Sequence, residues 1–139
     1  MRGASALGRL LSGAGKDVDA VIVWMPVVPG DSLRAATRAS SRLAGPRVTQ
    51  FWDAGGAVSA ALLAGGRDAG WLRPEDVAGE EGEEFLWDLV AWIPPGARWD
   101  EWTGPPVPAW YGVPVEKSLE ALKARLAASR PVAAGPSKP

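Results

Sequence analysis

The chain contains no cysteine and no histidine. Without cysteine there is no disulfide, no thiolate nucleophile and no redox pair. With neither residue, a structural zinc site lacks its usual ligands, so neither a metal nor a cofactor is expected. An excess of one charge is also missing. Fifteen Lys and Arg against sixteen Asp and Glu leave a formal charge of -1, which builds no field for nucleic acid or an anionic membrane. Long apolar runs are absent too. The longest uncharged stretches, 54–66 and 103–115, fall far short of a membrane span, and Arg9 interrupts an N-terminal stretch too weakly apolar for a secretory signal. The expectation is a soluble, cytoplasmic protein with no nucleic-acid and no membrane partner.

What is present suits one globular domain: 139 residues, 47% of them hydrophobic, with eight tryptophans. Leu7, Leu10 and Leu11 predict a short helix over 4–13. The run 18–28 (VDAVIVWMPVV) is rich in β-branched residues and apolar throughout except for Asp19, which predicts a strand covered on both faces. Asp31 or Ser32 is a sound N-cap for a helix reaching Leu43. A short strand follows over 47–52, then a helix over 54–64 that Asp53 caps and Gly65-Gly66 ends. The polar, glycine-broken stretch 67–84 reads as a mobile surface loop. Residues 85–93 (FLWDLVAWI) predict a second strong strand, Pro94-Pro95-Gly96 a turn, and 97–102 the answering hairpin arm. An extended connection over 103–114 leads to a helix over 116–129 with Leu119, Leu122 and Leu126 on one stripe. A disordered tail is expected over 130–139. The element order predicts an α/β sandwich with a mixed sheet, a C-terminal β-hairpin and a terminal helix, occupying residues 1–129.

Three segments, VIVWMPVVPGD, PRVTQFWD and WDLVAWIPPGARW, stand in this order around the right elements. Together they resemble the thioredoxin-like proteins, and most of all uncharacterised bacterial members of that fold, over about residues 4–126. The resemblance implies a thioredoxin-like three-layer sandwich. It also implies a first strand and a Cys-x-x-Cys helix start ahead of Val18, where this sequence begins within the helix. The cis-proline of the active relatives would fall just before Phe85, where Glu83 and Glu84 stand instead. Disulfide exchange is therefore not carried over. Two readings follow: a remnant of a thiol–disulfide oxidoreductase truncated at its N-terminus, or a non-redox variant that serves as a binding or scaffold module. In both, the 18–28 strand keeps an open edge, which predicts a homodimer or a protein partner.

Asp88 sits amid large apolar neighbours, and with Asp53 it makes a weak candidate for acid–base catalysis. Trp99, Trp102, Trp110 and Tyr111, stiffened by Pro105, Pro106 and Pro108, are the candidate binding residues. The acidic run Glu80, Glu81, Glu83 and Glu84 lacks the spacing of a calcium loop and reads as a solvated surface. Arg34, Arg38 and Arg42 share a helix face that reads the same way. Gly13 to Lys16 imitates a phosphate loop, but they precede a strand and Asp17 replaces the required hydroxyl residue. No serine has a histidine base, so nucleophilic catalysis has no support.

Overall fold

A computed structural model describes residues 2–14, 18–100 and 104–128. Within them, strand β1 (Ala20–Trp24), helix α2 (Leu33–Ser40) and strand β2 (Val48–Trp52) form a parallel βαβ unit, preceded by helix α1 (Arg2–Ser12). The register sets Ala20 beside Val48 and Trp24 beside Trp52. Asp31 closes the turn after β1 by accepting from the N–H groups of Val27 and Val28 at 2.9 and 3.0 Å. Those two bonds, that from Val28 foremost, hold its carboxyl below the usual range. Ser32 then caps α2, its hydroxyl accepting from Ala35 N–H at 3.2 Å, and a 3₁₀ turn (Ser41–Leu43) carries the helix to Leu43 as the sequence predicts.

Strand β1 is shorter than its apolar run, and only one face of its sheet is covered. Trp24 Nε1 donates to Gln50 Oε1 at 2.9 Å and Gln50 Nε2 to the Ser40 carbonyl at 3.0 Å, so this face turns toward α2. On the opposite face Val21 and Phe51 are 66% and 55% exposed. The unbroken hydrophobicity of β1 thus does not report burial on both sides within the described residues.

Helix α3 (Ala57–Asp68) runs straight through Gly65 and Gly66, which were expected to stop it. Both glycines are there for close approach. A Cβ on Gly65 would lie 2.8 Å from Pro105 Cγ, and one on Gly66 2.8 Å from Leu72 Cβ. The stop falls at Gly70, whose φ of 68° is the left-handed conformation that ends helices. The predicted surface loop 67–84 therefore begins inside α3. It also holds a 3₁₀ turn (Pro74–Asp76), a bridge from Ala78 to Phe85 and the buried Leu72.

The second half departs further from expectation. The 85–93 strand shrinks to β3 (Val90–Trp92), because Asp88 takes a left-handed φ of 52° and interrupts the pleat. The partner of β3 is β4 (Trp110–Gly112), antiparallel, with Trp92 beside Trp110 and Val90 beside Gly112. The answering arm of the hairpin thus comes from the proline-rich stretch read as a connection, and not from 97–102. Its three residues follow the prolines and are themselves proline-free, so the ladder loses no donor. The predicted turn at Pro94 forms, with Ala97 N–H donating to the Pro94 carbonyl at 3.2 Å. Helix α4 (Val115–Ala128) buries Leu122 and Leu126 and half-buries Leu119, matching the predicted stripe, and packs against α1.

The described residues thus make a mixed α/β architecture of four helices and two separate two-stranded sheets, where one mixed sheet was expected. The main apolar cluster is Leu63, Leu72 and Leu86, flanked by Leu62, Trp71, Val77, Leu89 and Tyr111. The tail 130–139 lies outside the described residues.

Candidate functional site

An open cleft of about 310 Å³ lies beyond the carboxyl ends of β1 and β2. Parallel strands leave their ends free there, because the chain departs into loops that splay to either side, and ligands of α/β proteins gather at such places. One wall is the loop after β1, Met25 to Val27. The other is the loop after β2, Ala54 to Gly56, with Ser59 and Ala60 on the first turn of α3, and Phe85 closes one side.

Asp53 organises this end of the molecule. Its backbone N–H donates to the Trp24 carbonyl at 2.8 Å, extending the β1–β2 ladder by one residue. Its two carboxylate oxygens accept from Ala57 and Val58 N–H at 3.0 and 2.8 Å, which satisfies two of the orphan donors of α3. Glu84, also on the cleft, is engaged by Arg67 through bonds of 2.6 and 3.1 Å. That guanidinium keeps the Glu84 carboxyl below its ordinary range. Ser59 is 5% exposed, and its hydroxyl accepts from Leu86 N–H at 2.7 Å, tying the cleft to the core.

The predicted site residues stand in different surroundings, Asp53 at the start of α3 and Asp88 near the start of α4. Asp88 lies beside the start of α4, where its carbonyl accepts from Val115 N–H at 2.8 Å. Desolvation pushes its carboxyl above the ordinary value, against hydrogen bonding from Val115 and with help from the neighbouring charge of Glu116. Among the described residues no hydrogen bond links Asp53 to Asp88. Tyr111 points inward, with its ring edge-on to Trp71 at 5.1 Å and its hydroxyl bonded to Asp76. Trp110 lies under the Arg125 guanidinium at 4.8 Å, a cation–π contact within the molecule. Trp99 is exposed, and Trp102 falls outside the described residues. The aromatic segment is thus divided between core and surface. No group of three or more acidic side chains suited to a metal ion occurs among the described residues, and no helix there is long and apolar enough to cross a membrane.

Against this geometry the chain was compared with family models, with curated proteins and with solved structures. Nothing matches.

Sequence reasoning passed over the cleft because its donors are backbone and serine groups with no motif. The one signal is Asp53 with Gly55 and Gly56 shortly after a strand, a pattern that reads as a helix cap and an acid–base candidate and does not by itself reveal a cleft. For Asp88, the raised carboxyl means that the folded state resists its charge. Stability should therefore fall as pH rises through its range, from the ordinary 3.8 upward. Asp88→Asn, which tolerates the left-handed backbone, is expected to raise neutral-pH stability by up to about 0.5 kcal/mol. Urea denaturation at two pH values checks this, and a loss of stability at neutral pH would contradict it.

Proposed function

We propose that this chain is a non-redox thioredoxin-like domain working as a binding module, whose outer β1 edge pairs with a strand of a second copy. The observation that carries this reading is the unfinished β1–β2 sheet. Ala20 N–H donates to the Arg47 carbonyl and the Trp24 carbonyl accepts from Asp53, so the even-numbered residues of β1 bond inward to β2. Val21 and Val23 then direct their N–H and C=O groups to the other side, where nothing among the described residues meets them. Parallel pairs rarely stand alone, and an edge without lysine, proline or a bulge invites another strand. An antiparallel β1–β1 pairing centred on Ile22 sets Val21 of each copy against Val23 of the other, satisfying all four residues.

The test is the solution mass of the chain over a concentration series. A dimer near twice 14.6 kDa is expected. Val23→Pro removes only an outward N–H and should return the monomer with its circular dichroism unchanged. A wild-type chain that stays monomeric throughout overturns the reading. The alternative, a remnant of a thiol–disulfide oxidoreductase, gives the same edge to a strand of its own polypeptide, and an upstream reading frame encoding that strand with a Cys-x-x-Cys would favour it. Asp53 and Asp88 are each engaged at a separate helix start, so no acid–base reaction is built on them.

A further inference from the structure

The outer side of α2 carries an inference of its own, independent of the sheet edge. Ala36, Ala39 and Leu43 are buried, which leaves Leu33, Arg34, Thr37 and Arg38 on the exposed side. Arg34 and Arg38 stand one turn apart, so their Cβ atoms lie about 6 Å from each other. Neither has an ion pair or a hydrogen-bonded carboxylate among the described residues. By contrast Arg47, Arg67 and Arg73 each hold a carboxylate of this chain, at 2.8, 2.6 and 2.7 Å. No acidic residue occurs between Leu33 and Leu43, and Asp31 just ahead of them is held by the N–H groups of Val27 and Val28. Helix α1 lengthens the basic surface. It packs so closely on the 3₁₀ turn that Gly8 has no room for a side chain beside the Arg42 carbonyl, and the next residue is the exposed Arg9.

The distribution of charge decides what docks there. Residues 1–52 hold seven basic against three acidic residues, and residues 53–139 hold eight against thirteen. The formal charge of -1 thus combines a basic first part with an acidic second part. A long polyanion such as duplex DNA, or an anionic bilayer, is repelled by the second while it is drawn to the first. A short acidic segment meets the arginines alone. The planar fork of arginine matches a carboxylate with two parallel hydrogen bonds. Leu33 and Val28, 57% and 53% exposed, add apolar surface at the start of the helix. We infer that the exposed side of α2 docks an acidic peptide segment of a partner protein, two of its carboxylates pairing with Arg34 and Arg38.

The probe is a fluorescein-labelled peptide of repeated Glu-Ala-Ala-Ala units, whose carboxylates recur at the spacing of the two arginines. Titration with the full-length chain should raise its anisotropy saturably at low ionic strength, with a dissociation constant of roughly 10–200 μM, and added salt should weaken binding. The double variant Arg34→Gln, Arg38→Gln changes only exposed side chains and should weaken binding about tenfold or more, as the loss of two exposed ion pairs does. Arg98→Gln, an exposed arginine of another loop, should bind as the wild type does. Val23→Pro should too, so that the result does not depend on pairing at the sheet edge. No saturable rise with the peptide, or an equal loss in Arg98→Gln, overturns the inference. Tighter binding of duplex DNA or of phosphatidylserine vesicles than of the peptide also overturns it.

Discussion

Leu86→Ala is expected to cause the largest loss of stability of any substitution considered, within the range of about 2–5 kcal/mol found for buried leucines. Leu86 is 4% exposed and meets Leu63 and Leu72 at the centre of the main apolar cluster. Truncation removes the transfer free energy of three carbons and leaves a void under α3. The flanking Leu62, Trp71 and Val77 are only partly buried, so the site can partly collapse, which places the cost in the lower half of that range. A domain of this size has only about 5–15 kcal/mol in total, so the fraction lost is large. Urea denaturation should show a lower midpoint with an unchanged slope. A midpoint equal to that of the wild type would mean that the cluster is not the core.

Tyr111→Phe is expected to cost about 1–3 kcal/mol, because it takes from the nearly buried Asp76 carboxylate one of the hydrogen bonds that offset its burial. The Tyr111 hydroxyl donates to Asp76 Oδ2 at 2.7 Å and accepts from Arg73 N–H and Nε, each at 3.1 Å. It thereby clamps the 3₁₀ turn at Pro74–Asp76 to β4. Only 8% of the Asp76 side chain is exposed, yet its charge persists. Burial pushes its carboxyl up, and the hydrogen bonds from Arg73 and Tyr111 outweigh that and hold it below 3.8. A depressed carboxyl stabilises the fold above the unfolded value, and the benefit is lost as pH falls through the lower folded one. The gap between wild type and Tyr111→Phe should therefore be widest at neutral pH and close as pH drops below 3.8. A gap of constant size would show that the hydroxyl acts by packing alone.

The first half of the fold was more legible in the sequence than the second, for a physical reason. Between Ala20 and Trp52 the signals are local: a β-branched run, Ser32 with its capping hydroxyl, and a short helix with Ala36 and Ala39 on its inner side. In the second half, distant contacts override local pattern. The alternation of 85–93 gave no warning that Asp88 would turn left-handed, since that conformation depends on Val115 meeting its carbonyl. The pairing of β3 with β4 spans a long insertion that no turn signal reveals. Asp53 was recognised as a cap, but the cleft it frames depends on two loops meeting Phe85 in space. Tyr111 was noticed as an aromatic without any hint of its partner Asp76, 35 residues away in sequence.

The two glycines inside α3 have a consequence for how the molecule comes apart. Each weakens a helix by about 1 kcal/mol relative to alanine, so the isolated segment has little tendency to coil on its own. What holds it is Pro105 resting on Gly65, forty residues away in sequence, and Leu72 on Gly66. Helix α3 is thus conditional on chain that is made after it. Its amides should exchange with solvent only when that distant chain lets go, so that the two regions open as one cooperative unit.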